Sequence, residues 1–178
     1  MTHKVITAII ASVLPALPAF ARTTVSQNAT MVTIANDNVA MAFTGSGTFD
    51  IVSMKHQGVE MVKAGDNKQP WCLTYLGEQG ETPAIDPRYA IYRGWRVEEG
   101  DTAKTIVFTW HTRLKYDGAN HPVEMRVTLG DNSDLVQWNL SAEVPGNWVV
   151  TDFVFPDIAI KSPGEGSVIT PGGWGNEY

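Results

Sequence analysis

Residues 104–114 read KTIVFTWHTRL, and the way they alternate decides the fold. Ile106, Phe108, Trp110, Thr112 and Leu114 fall on one face, and Thr105, Val107, Thr109, His111 and Arg113 on the other. A side-chain period of two belongs to the β-strand, so the run predicts a strand with one face on a core and one in water. PVEMRVTL (122–129) repeats the pattern with Val123, Met125, Val127 and Leu129 inward. In DLVQWNLSAEV (134–144), Val136, Trp138 and Leu140 alternate less cleanly against Leu135, Gln137 and Asn139. NWVVTDFVFP (147–156) is apolar on both faces, as expected of a strand covered on both sides.

Turn chemistry punctuates these runs. Asn36-Asp37-Asn38, Gly45-Ser46-Gly47, Glu98-Glu99-Gly100-Asp101, Asp117-Gly118, Gly130–Asp134 and Pro145-Gly146 each offer residues that tolerate positive φ or cap a turn with a side-chain oxygen. GEQGETPAIDPR (77–88) carries too many breakers for a strand and is expected to be a long surface loop. Helical periodicity is nearly absent after the first twenty residues. The spacing predicts an all-β antiparallel sandwich of about ten or eleven strands built from meanders.

The N-terminus reads differently. MTHKVITAIIASVLPALPAFA has a short basic start, an apolar run from Val5 to Leu14, and Ala19-Phe20-Ala21, the small-x-small pattern of a cleaved signal peptide. The run is well short of the roughly 20 residues a membrane span needs. Cleavage after Ala21 would leave 157 of the 178 residues, starting at Arg22, and the loss of Lys4 would take the formal charge from −6 to −7. The mature chain is therefore expected to be exported, periplasmic or secreted, with no membrane association after cleavage. An acidic chain without a Lys/Arg cluster is a poor partner for nucleic acid or anionic lipid and suits a neutral ligand better. Cys72 is the sole cysteine, so no disulfide forms within the chain, and its apolar neighbours Trp71 and Leu73 predict a buried, inert thiol.

Few residues promise chemistry. The four histidines show no metal-ligand spacing, and Asp131–Asp134 (DNSD) is better read as a hairpin turn than as a calcium loop. Gly45-Ser46-Gly47 joins two strands and is not a nucleophile elbow, and no phosphate loop or dinucleotide fingerprint occurs. No metal and no cofactor is expected. Asp152 lies inside VVTDFVF, where burial is expected, and a buried acid serves as a structural latch or a functional group. Asn176-Glu177 has the order of a glycosidase acid/base pair but lacks the barrel strands that would position it. Of six tryptophans, Trp110 and Trp138 fall in strand interiors. Trp71, Trp95, Trp148 and Trp174 lie near strand ends or glycines, where flat rings either stack on sugar faces or seal an edge. These four are the candidate carbohydrate-binding residues.

The succession IANDNVAMAFTGSGTFDIVSMKHQGVEMV, QPWCLTYL, TIVFTWHTRL, PVEMRVTLGDNSDLVQWNLSAEV, VVTDFVFPDIAI and GSVITPGGWG resembles the N-terminal β-sandwich of large exported glycoside hydrolases and related carbohydrate-active enzymes. That sandwich is of the galactose-mutarotase-like, or supersandwich, type. The resemblance implies that the strand ending in Phe155-Pro156 and the loop PGGWGNEY (171–178) lead out of the sandwich toward a catalytic domain. It gives the organisation 1–21 signal peptide, 22–30 linker, 31–170 sandwich and 171–178 exit loop. It transfers no catalytic residue, because the His/Glu pair of the mutarotase type has no counterpart here. The leading expectation is a non-catalytic module whose partner is a carbohydrate or a missing catalytic domain. The alternatives are a free-standing carbohydrate-binding module, and a small epimerase or lyase working through His111 or Asp152.

Overall fold

The computed structural model describes residues 22–158, apart from 46, 63–68 and 115–118. The expected signal peptide, the exit loop 171–178, Trp174, Asn176-Glu177 and the Asp117-Gly118 turn lie outside the described residues. In chain order the strands are β1 (Thr24–Gln27), β2 (Met31–Ala35), β3 (Val39–Thr44), β4 (Ile51–His56), β5 (Val59–Glu60), β6 (Cys72–Gly77), β7 (Ala84–Ile85), β8 (Ile91–Glu99), β9 (Ala103–Thr112), β10 (His121–Gly130), β11 (Val136–Ala142) and β12 (Trp148–Val154). The described residues contain these twelve strands and no helix. They form three antiparallel sheets, ordered β1-β2-β3-β4-β5, β11-β10-β9-β8 and β12-β6-β7. The all-β sandwich is as its alternation required. Two-residue strands such as β5 and β7 are too short to show a period, which accounts for the extra count.

One core joins the three sheets. β9 and β10 supply its floor: Ile106, Phe108, Trp110, Val123, Met125, Val127 and Leu129 are all fully buried. The first sheet answers with Val32, Ile34, Met41 and Phe43, and Phe43 meets Phe108 at 5.1 Å and Trp138 at 6.0 Å between ring centroids. Just before β6 of the third sheet, Trp71 stands edge-on to Trp110 at 5.6 Å. Each such side chain removed from water contributes about 1.5–3 kcal/mol, which is what offsets the ordering of this many strands.

Two local devices fix how the layers sit. Asn36 bridges two hairpin turns. Its Oδ1 accepts from the Asn38 and Val39 amides at 2.9 and 2.7 Å, and its Nδ2 donates to the Gly130 and Ser133 carbonyls, both at 2.8 Å. Phe49 adopts φ 52°, a conformation that a bulky side chain occupies only when its surroundings demand it. The demand here is packing: its ring lies 4.5 Å from Phe108 and 4.9 Å from Tyr92, while Trp110 Nε1 donates to the neighbouring Gly47 carbonyl at 2.8 Å.

Several expectations are corrected. Residues 22–30 are more than a linker, because β1 pairs with β2 in register Thr24↔Ala35 to Gln27↔Val32, and the Thr23 amide donates to Asp131 Oδ1. The 77–88 stretch holds β7, which pairs with β6, and a buried Asp86 that ion-pairs with Arg88 at 2.5 Å. β12 is not covered on both sides, and Asp152 is exposed instead of buried. Cys72 is half-buried, though desolvation, then the nearby Asp86 carboxylate, holds its thiol above the ordinary value, which keeps it largely unreactive.

Candidate functional site

The three described candidate tryptophans do not form one surface. Trp71 is wholly interior. Trp95 follows Gly94, whose positive φ belongs to a bulge in the β8–β9 register, and its half-buried ring packs on the core opposite Phe108. Trp148 is 6% exposed and pairs with Gly77, so the full length of β6 separates it from Trp71.

Around Trp148 a cleft of about 400 Å³ opens, lined by Glu81, Thr82, Pro83, Ile85, Arg113, Leu114 and Trp148. Gly77 makes it possible. A Cβ there would stand 2.6 Å from Glu81 Oε2 and 2.9 Å from the Trp148 ring, so only glycine lets carboxylate and indole approach the strand this closely. The turn is held by the Gly77 amide on the Glu81 carbonyl at 2.9 Å and by the Gln79 amide on Glu81 Oε2 at 3.1 Å. A carboxylate, a guanidinium and a hydroxyl above an apolar floor make a surface suited to a small hydroxylated ligand. Glu81 and Gly77 do not stand out in the sequence because they lie in a breaker-rich loop. The signal was available in Gly77 ending an apolar strand.

A second concavity, about 360 Å³, runs between β11 and β12 and has a different character. Leu73, Trp138, Leu140, Val150, Phe153 and Phe155 line it, with Trp138 edge-on to Phe155 at 6.1 Å. A bulge between Val150 and Asp152 shapes this region. Val149 pairs with Leu76 on the outer face, while beyond the bulge Phe153 pairs with Leu73 on the groove face and Val154 with Cys72 on the outer face.

The residues proposed for sugar turnover are kept apart. His111 lies on the face of β9 turned away from the core, between buried Trp110 and Thr112, whereas Asp152 is exposed on the outer face of another sheet. Other carboxylates are engaged structurally. Glu98 takes a short contact from Arg126 and a 3.1 Å bond from Arg96, and Arg96 also reaches Glu124 at 3.2 Å. The Arg126 hydrogen bond, more than the surrounding charges, holds the pKa of Glu98 below the ordinary carboxylate value.

No family model matches the chain. Over 144 residues, 80% of its length, it is 35% identical to a protein of Bacteroides thetaiotaomicron described as "Putative glycoside hydrolase". That stretch is 21% of the relative, so the chain spans about a fifth of the protein it matches. An all-β sandwich with such a relative fits a domain of a carbohydrate-active enzyme.

Proposed function

We propose that the chain is a non-catalytic β-sandwich module, of galactose-mutarotase-like architecture, within an exported glycoside hydrolase-like protein, and that it supports a catalytic domain lying elsewhere in that protein. The observation that carries this reading is the match of most of the chain to one fifth of a far longer relative with a glycoside hydrolase description. His111 and Asp152 stand on different sheets, and the neighbouring Glu98 and Glu124 are both bound by Arg96. Both facts agree with it, since glycoside hydrolysis needs two carboxyls free to face each other about 5–9.5 Å apart across one cleft. The test is to produce the 178-residue chain and the longest reading frame containing it, and to assay both on a panel of glycosides. Hydrolysis by the longer protein alone supports the supporting role; turnover by the chain alone overturns it. Sequencing the secreted product should find Arg22 as the first residue.

A second reading, carbohydrate binding by the module itself, is favoured by the cleft beside Trp148 with its Glu81 and Arg113 groups. Arg113 is exposed, so Arg113→Ala should leave the fold intact and abolish retardation of the chain in glycan-containing gels. Equal migration of the parent with and without glycan would remove this reading.

A further inference from the structure

We propose that β12 is a docking strand. In the larger polypeptide, a further domain pairs along its free edge and covers both of its apolar faces. This rests on the reading of the chain as one module of a longer glycoside hydrolase-like protein.

β12 contains Trp148, Val149, Val150, Phe153 and Val154, the composition of a strand buried on both sides. Yet Val149 and Phe153 are each 60% exposed, Val154 is 43% exposed, and Leu76, beside Val149 in register, is 40% exposed. The bulge divides this surface between two faces, Phe153 toward the groove, Val149 and Val154 outward with Leu76. Among the described residues β12 has one hydrogen-bonded neighbour, β6, and it ends its sheet, just as β11 ends the four-stranded sheet on the other side of the groove. Edge strands that face water are ordinarily blunted by several charges, prolines or short length. β12 has seven residues and Asp152 as its sole charge, which is the makeup of a strand that expects a partner.

The chemistry and the chain path choose the occupant. Aliphatic and aromatic side chains dominate the groove lining, with the Asn139 amide and the Trp138 indole N–H as its polar side-chain groups. These side chains match the apolar side chains of a protein better than the many hydroxyls of a sugar. The chain leaves β12 through Phe155, itself in the groove, and Ile158, packed on the core, so polypeptide continuing in a longer protein emerges beside this surface. The four-fifths of the relative that lies outside the match is where such a domain is to be found.

The test uses Val149→Cys and Phe153→Cys, each in a Cys72→Ser background, and a maleimide probe. Both substituted sites are mostly exposed, so the variants of the 178-residue chain should match the parent in circular dichroism. Both thiols are expected to react quickly in the monomeric 178-residue chain and at least about tenfold more slowly in the product of the longest reading frame. Hydrogen exchange on the unsubstituted proteins gives a second measurement: β12 amides directed to the free edge should be protected only in the longer protein. Fast labelling and fast exchange in both proteins overturn the docking proposal and leave the larger-protein reading standing. A reading frame that encodes no further domain overturns that reading and the proposal with it. Slow labelling in the monomeric chain would assign the cover to residues 159–178, and slowing that grows with concentration would assign it to a second copy; either overturns the proposal.

Discussion

β10, with four large apolar residues in ten, and β12, with five in seven, have opposite fates. β10 runs between β9 and β11, alternates strictly, and its Val123, Met125, Val127 and Leu129 lie fully inside. β12 has one neighbour, breaks its alternation at a bulge, and leaves Val149, Phe153 and Val154 in water. The difference teaches that an apolar run states a demand for burial, while the neighbours present decide whether it is met. A strand with two paired edges and an opposing sheet meets it within the module.

If the closed region is the stable one, its packing should be costly to damage. Phe49→Ala removes a ring wedged among Tyr92, Phe108 and Trp110, and urea denaturation should show a loss of about 3–5 kcal/mol. A loss under 1 kcal/mol would mean that the core repacks and that the comparison is drawn too sharply. Next in size is Asn36→Ala, which cuts two hydrogen bonds within its own turn and two to the β10–β11 turn of another sheet, and should cost about 1–3 kcal/mol. Asn36→Asp keeps the Oδ1 bonds but sets a carboxylate oxygen against the Gly130 and Ser133 carbonyls, so it should cost at least as much as Ala.

The open corner should behave in the opposite way. Phe153→Ser in the 178-residue chain should shift stability by no more than about 0.5 kcal/mol, because the ring is mostly in water already. A core-sized loss in the monomer would show that β12 is covered after all. The smallest effect is acid dependence through Glu98. Its depressed value means that its contribution is present above the ordinary carboxylate range and is lost as pH falls through the lower folded-state value. Urea midpoints at successive pH values should therefore decline on the acid side, and less steeply in Glu98→Gln. The effect should be slight, since the group is solvent-exposed.

The parts of the fold that were legible in the sequence are those with a single dry face. The runs that became β9 and β10 declared their inward residues one by one, Val107 being the exception as an outward residue with no exposure. β1 was hidden because Thr24–Gln27 is short and polar and owes its place to pairing with β2. β7 was hidden inside a turn-rich loop, where pairing with β6 outweighs local propensity. The cleft at Trp148 is non-local: Gly77 and Glu81 share one turn, but Trp148 meets them only through the pairing of β12 with β6, and Arg113 comes from just past the end of β9 in another sheet. Of the four tryptophans proposed for sugar contact, Trp71 and Trp148 do stand at strand ends, Trp95 stands midway along β8 and Trp174 lies outside the described residues. Sequence position did not give their depth, which depends on what the opposite sheet presents. The burial expected of Asp152 failed for the reason that β12 itself stands open.

The bulge in β12 has one more consequence. Thr151 is the uncounted residue that puts Val149 and Phe153, four positions apart, on opposite faces. It acts as a phase shift in the strand. Deleting Thr151 would leave Val150↔Tyr75 followed directly by Asp152↔Thr74, with every later residue keeping its side. Inserting a residue after Asp152 without a compensating bulge would exchange Phe153 and Val154 between the groove and the outer surface. Length changes at this one point therefore separate two properties that usually travel together, the apolar content of a strand and the direction in which it is offered.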